Sequence, residues 1–189
     1  MHEWESWLDK VADETLPGGV SVAAVAGAMG AALVAKAIRV TLSRGDLPPE
    51  ERQRFEAAGA AAHKAQRSLV GLSDDDDAAY RRLLDTQKAP DDAGESEERR
   101  EAWLMVTHVP LQVADVCQAL LHHVLPLEKN CLPVVLVDLE IGTRLLLAGL
   151  DGGVRAGRAN VEAWKAELKS DPQPADLTRR LERLERKRL

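Results

Sequence analysis

The feature that constrains this chain most is a stretch from Val20 to Ala35 with no charged side chain, made almost wholly of Ala, Gly and Val. Ala and Leu favour helix, and the apolar pattern runs on to about Ser43, so the sequence predicts one helix over Ser21–Ser43. For about its first four turns that helix is apolar on nearly every face, and such a helix belongs in the middle of a fold. Lys36 and Arg39 interrupt the stretch before it reaches the length of a membrane span. Glycine costs a helix interior about 1 kcal/mol. Gly27 and Gly30, with Ala23 and Ala31, therefore point to a close backbone crossing, within the chain or between subunits.

The remaining segments read as helices around this one. Trp4, Trp7, Leu8 and Val11 recur at i, i+3, i+4 and i+7, which predicts a short amphipathic helix over 2–13, ended by the turn Leu16-Pro17-Gly18-Gly19. Pro48 and Pro49 followed by Glu50 and Glu51 mark the entry of a helix expected to reach about Ser68. Asp74 to Asp77 then precede another amphipathic stretch with Tyr80, Leu83 and Leu84, and the polar segment Lys88 to Glu98 reads as a mobile loop. A helical pattern from Glu98 to Leu125 contains Pro110, which is expected to kink or divide it. Val134 to Leu150 reads as helix, because the strand-like run Val134–Val137 has no second run to pair with. Asp151-Gly152-Gly153 is expected to turn the chain into a further helix over Val154–Lys169. After Pro172 and Pro174, Leu177, Leu181 and Leu184 lie at coiled-coil-like spacing on a charged tail helix. The expected fold is all-α, an up-and-down bundle of about seven or eight helices, with a domain over 1–170 and a charged C-terminal helix over 171–189.

Composition narrows the function classes. With 189 residues, 45% hydrophobic and 30% charged, the chain can bury a real core and is not globally disordered. A net charge of -6 without a basic stripe sets aside nucleic acid as a partner. Cys117 and Cys131 are too few for a disulfide framework, and the acidic, amphipathic amino terminus is unlike a signal peptide. A cytoplasmic protein that leaves membranes alone is expected. His108, His122, His123 and the two cysteines show no metal-ligand spacing, so no metal is expected.

Three places carry possible chemistry. The turn Pro17-Gly18-Gly19-Val20-Ser21 opens an apolar helix, whose free N–H groups and positive dipole end suit a carboxylate or phosphate; a plain turn with an N-cap would use the same residues. In the Asp74–Asp77 run, crowded carboxylates raise the pKa of at least one towards a value useful in proton transfer, or else they cap a helix. Asp138 lies in an apolar run where an unpaired charge is costly, so it needs a partner: a helix end, Arg155 or Arg158, or a ligand.

Taken in order, these segments resemble a known family. Pro17-Gly18-Gly19-Val20-Ser21 with its Ala/Gly-rich helix ending in Val40-Thr41-Leu42, Asp76-Asp77-Ala78-Ala79-Tyr80, Val109-Pro110-Leu111, Asn130 with Val137-Asp138, and Asn160-Val161 are similar to the signature elements of the formimidoyltetrahydrofolate cyclodeaminase and methenyltetrahydrofolate cyclohydrolase family. The resemblance spans about residues 4–165. It implies an all-helical homodimer that binds a tetrahydrofolate derivative as substrate near helix ends and the subunit interface, without a metal. Such proteins eliminate ammonia from 5-formimidoyltetrahydrofolate or hydrolyse 5,10-methenyltetrahydrofolate. In that picture Asp76 and Asp138 are catalytic, Asp76 carrying the proton, while Gly18, Gly19, Ser21, Arg44, Asn130 and Asn160 hold or orient the substrate. Some positions depart from the pattern. Val20 replaces a third glycine and is strained if that position needs positive φ. Ser43-Arg44-Gly45-Asp46 replaces a Gly-Lys-Lys element, and Lys129 and Val137 replace a glycine and a serine. The alternative is a non-catalytic helical dimer of the same fold. The two readings differ in whether Arg44, Asp76 and Asp138 meet in one cleft or Val20 and Val137 fill it.

Overall fold

A computed structural model describes residues 2–44, 46–88, 97–169 and 171–186. The described residues form six α-helices: α1 (His2–Asp13), α2 (Gly19–Arg44), α3 (Pro49–Gln87), α4 (Glu97–Val124), α5 (Pro133–Glu167) and α6 (Gln173–Arg186). A 3-10 helix, Leu125–Asn130, joins α4 to α5, and no strand occurs among the described residues. Helices α2 to α5 form an up-and-down bundle in which α2 and α4 each pack against both α3 and α5. The expected loop at Lys88–Glu98 falls largely on residues 89–96, outside the described residues.

The helix count is lower than expected because two predicted breaks are not breaks. Helix α3 runs unbroken through Gly71 and the aspartate run, since its inner face is continuous: Phe55, Ala58, Ala62, Ala65, Leu69, Leu72, Asp76, Ala79 and Leu83 are all buried, at alternating spacings of three and four. Helix α5 likewise continues through Asp151-Gly152-Gly153. Gly153 is there for proximity and not for a turn: a Cβ on it would lie 2.5 Å from the Pro110 carbonyl oxygen on α4.

Pro110 does not divide α4 either. A mid-helix proline leaves the carbonyl four residues earlier without its N–H donor. Here that carbonyl belongs to Val106, and Asn160 Nδ2 of α5 donates to it at 2.8 Å. The side chain of a neighbouring helix thus replaces the missing backbone bond.

The small residues of α2 serve an intrachain crossing with α5. A Cβ on Gly30 would lie 2.6 Å from the Gly142 carbonyl oxygen, and one on Gly142 would lie 2.8 Å from that of Gly30. Further along the antiparallel pair, the Leu132 N–H donates to Thr41 Oγ1. Both α2 and α4 contain a stretch long and apolar enough to cross a membrane, but 61% of each stretch is buried inside the bundle. Helix α6 packs on α4 and α5 with Leu177, Leu181 and Leu184 buried, and Arg180 pairs with Asp115 of α4. Its leucine spacing is therefore used within the chain. Helix α1 buries none of its residues.

Candidate active site

The first turn of α2 contains no acidic residue, so its own sequence leaves the positive helix end uncompensated. Asp76, from the seam of α3, fills that place. Its Oδ2 accepts the Ser21 N–H at 3.1 Å and lies 2.9 Å from Ser21 Oγ. The same hydroxyl lies 3.0 Å from Asp77 Oδ1 and 3.2 Å from the Ser73 carbonyl oxygen. Positions 73, 76 and 77 share one face of α3, which lets three acceptors surround one hydroxyl. Ser21 is fully buried and Asp76 is 6% exposed. The aspartate run therefore caps the helix packed beside it, and not its own helix as the capping reading of the sequence expects.

Burial pushes the Asp76 carboxyl above its ordinary pKa; the hydrogen bonds from the Ser21 hydroxyl and N–H oppose the shift, and the charge of Asp77 adds to it. Ser21 has one hydroxyl proton for three acceptors. A proton on the Asp76 carboxyl, donated to Ser21 Oγ, turns the crowded arrangement into a chain of satisfied hydrogen bonds. The cluster is suited to holding one proton and releasing it.

The other sequence candidates lie elsewhere. Gly18 sits beside this cluster, where a Cβ would be 4.0 Å from Asp76 Oδ2, and Gly19 faces open space. No described residue has positive φ, so Val20 is an ordinary, buried helical residue and the expected strain is absent. Arg44 ends α2 at the opposite pole, about 35 Å from Ser21 at 1.5 Å per residue; its side chain lies outside the described residues. Asn130 is at that pole too, donating through Nδ2 to Glu51 Oε2 at 3.0 Å.

Asp138 pairs neither with Arg155 nor with Arg158. Those side chains hold Asp151 and Glu185, while Lys36 of α2 meets Asp138 at 2.9 Å. The pair is half exposed on the α2 side, so its contribution to stability is small. Asn160 spends its Nδ2 on Val106. Within one copy, then, Asp76 is joined by Ser21 and Gly18, Asp138 lies beside Lys36, nearer the Arg44 end of α2 than the Ser21 end, and Arg44 and Asn130 occupy the far end. Val20 lies in the core, and Val137 fills no cleft, being 63% exposed.

Sequence reasoning missed Lys36 and Ser73 as members of these clusters, and it named Asp77 in the aspartate run without its contact to Ser21. The only sequence signal for them was helical phase: 73 and 77 flank 76 on one face, and Lys36 is the first charge after the apolar stretch. Among the described residues, no group of three or more His, Cys, Asp or Glu side chains is placed to hold a metal.

Comparison with known proteins gives three findings. Residues 3–173 match the family model described as formiminotransferase-cyclodeaminase. Over 123 residues the chain is 30% identical to the methenyltetrahydrofolate cyclohydrolase of Methylorubrum extorquens; the match covers 60% of this chain and spans 57% of that relative's length. The fold is similar to the crystal structure of formiminotetrahydrofolate cyclodeaminase from Thermotoga maritima, with a TM-score of 0.77 and 22% identity over 97% of this chain and 88% of that one.

Proposed function

The chain belongs to the formiminotransferase-cyclodeaminase family, and on that footing we propose that it acts on a carbon–nitrogen bond of a one-carbon tetrahydrofolate derivative, with Asp76 carrying the proton. In both reactions of this class the departing nitrogen needs a proton. Ammonia leaves as N10 closes on the formimidoyl carbon, or N5 leaves once water has added to the methenyl bridge. A carboxyl whose pKa is raised by burial keeps its proton to higher pH than an exposed one, which suits it to that transfer. The observation that carries the reading is the buried Ser21–Asp76–Asp77 cluster at the amino end of α2.

The same reading assigns the α2/α5 face to a homodimer. Val22 and Met29 of α2 and Val134, Val137, Ile141 and Leu147 of α5 are large apolar side chains left exposed on these two helices. A two-fold axis through this face, with the two α2 helices antiparallel, brings the Arg44 and Asn130 end of one copy beside the Ser21 and Asp76 end of the other. In that arrangement the role of meeting an anionic group of the folate is assigned to Arg44, and Asp138, beside Lys36 between the two poles, belongs to the shared face.

The test is to assay the purified chain for both reactions and to repeat it with Asp76→Asn. Asparagine still accepts the Ser21 N–H, so the fold is kept, while kcat falls by about 10²–10⁴-fold. A wild-type chain inactive on both substrates, or an Asp76→Asn variant with unchanged kcat, overturns the reading. Sedimentation of Ile141→Asp checks the dimer: the variant runs as an inactive monomer, and an active wild-type monomer refutes the shared site.

A further inference from the structure

Helix α1 presents Trp4, Trp7 and Leu8 on one face, yet none of its residues is buried, and Trp4 and Leu8 are 43% and 47% exposed. Its two indoles are already ordered, with centroids 5.1 Å apart and planes 16° from parallel. Between them and the bundle lies a pocket of about 420 Å³, lined also by Glu3 of α1, by Val25 of α2 and by Val70, Ser73 and Asp74 of α3. That volume is of the size that holds small ligands.

The lining selects an occupant. Two indoles offer flat aromatic surface and two valines offer apolar contact, while the ionisable groups, Glu3 and Asp74, are both carboxylates. A phosphate or a glutamate tail is repelled there. A flat ring with a row of N–H donors and no negative charge fits: it stacks on an indole and gives its donors to a carboxylate in a charge-assisted pair. The 2-amino-4-oxopyrimidine half of a reduced pteridine has that shape and that donor edge.

The pocket also adjoins the proton-holding cluster. Ser73, which lines it, receives Ser21 Oγ on its carbonyl oxygen, and that hydroxyl is the one shared by Asp76 and Asp77. We propose that the pocket between α1 and the α2/α3 pair seats the pteridine ring of the substrate, with the stacked Trp4–Trp7 pair as the platform it lies on and Asp74 as the acceptor of its N–H pair. This rests on the folate reading above and adds the binding residues that orient the ring towards Asp76.

Of the four tryptophans, Trp103 and Trp164 are buried in the core, so ligand-dependent quenching reports on Trp4 and Trp7. The full chain is titrated with 5-formyltetrahydrofolate, with p-aminobenzoylglutamate as a probe that lacks the pteridine, and emission is corrected for ligand absorbance. Saturable quenching by the first probe alone is expected. Asp74→Asn weakens it about tenfold, and Trp7→Leu and Asp74→Asn each raise KM about tenfold, by more than they lower kcat. Equal quenching by both probes, or an active enzyme whose KM neither substitution moves, overturns the proposal while leaving the folate reading intact. Emission that responds to protein concentration and not to ligand also overturns it, by giving α1 to a second copy. An inactive chain that still shows quenching sensitive to Asp74→Asn keeps the pocket and removes the catalysis.

Discussion

Asn160→Ala tests whether α4 passes through Pro110 because α5 supplies the missing hydrogen bond. The bond from Asn160 Nδ2 to the Val106 carbonyl is 2.8 Å long, and Val106 is buried. Removing the amide leaves that carbonyl without a backbone donor, because residue 110 has no N–H. An unsatisfied buried acceptor costs about 1–3 kcal/mol, so the expected loss is about 2 kcal/mol. For a chain of this length that lowers Tm by about 4–8 °C. The same substitution is then made in a Pro110→Ala background, where the new backbone N–H at position 110 can bond the Val106 carbonyl. There Asn160→Ala is expected to cost well under about 1 kcal/mol, giving a coupling of about 1–2 kcal/mol between residues 50 positions apart in sequence. Urea unfolding of the four proteins measures it. An additive cycle, with Asn160→Ala equally costly in both backgrounds, refutes the reasoning. Asn160→Asp adds a check, since it sets a carboxylate against the carbonyl and is expected to be worse than alanine.

Gly30→Ala and Gly71→Ala should move stability in opposite directions. A Cβ at 30 meets the Gly142 backbone 2.6 Å away, so overpacking of about 3 kcal/mol outweighs a helix-propensity gain of about 1 kcal/mol. At 71 nothing lies within 4 Å, and only the gain remains; equal denaturation midpoints for the two variants would contradict the crossing. Asp76 makes stability pH-dependent. With its folded pKa raised, the folded chain holds a proton that the unfolded chain has lost, so stability falls as pH rises from the ordinary carboxyl range through the raised value. Relative to Asp76→Asn, wild-type Tm should drop across that window and level off above it, and parallel profiles would show that Asp76 is ionised throughout.

How far the sequence reached depended on the range of the interaction. The apolar stretch of α2 and the stripe of α1 are local patterns that became the helices expected of them, and Pro49 opens a helix as expected, although that helix runs on past Ser68 to Gln87. The merging of α3 was also within reach. The positions Phe55 to Leu83 keep one unbroken spacing through the aspartates, and that spacing, followed past Gly71, puts Asp76 in a core slot. What no local window contains is register between helices. Ser21 and Asp76 are 55 residues apart, and the choice of Lys36 over Arg155 or Arg158 as the partner of Asp138 depends on where α2 crosses α5.

That register follows from the glycines. With Gly30 set against Gly142 in an antiparallel pair, a few residues forward along α2 and back along α5 place Lys36 beside Asp138, and a few more place Thr41 beside Leu132. The same rule holds Arg44 and Asn130 at one pole while Ser21 and Asp76 stay at the other. No side-chain rotation closes a gap of about 35 Å. A site that draws on both poles needs two copies of the chain, which is why the proposed function carries a proposed dimer: its second copy, turned end for end against the exposed apolar side chains of α2 and α5, is the means by which the missing half would be supplied.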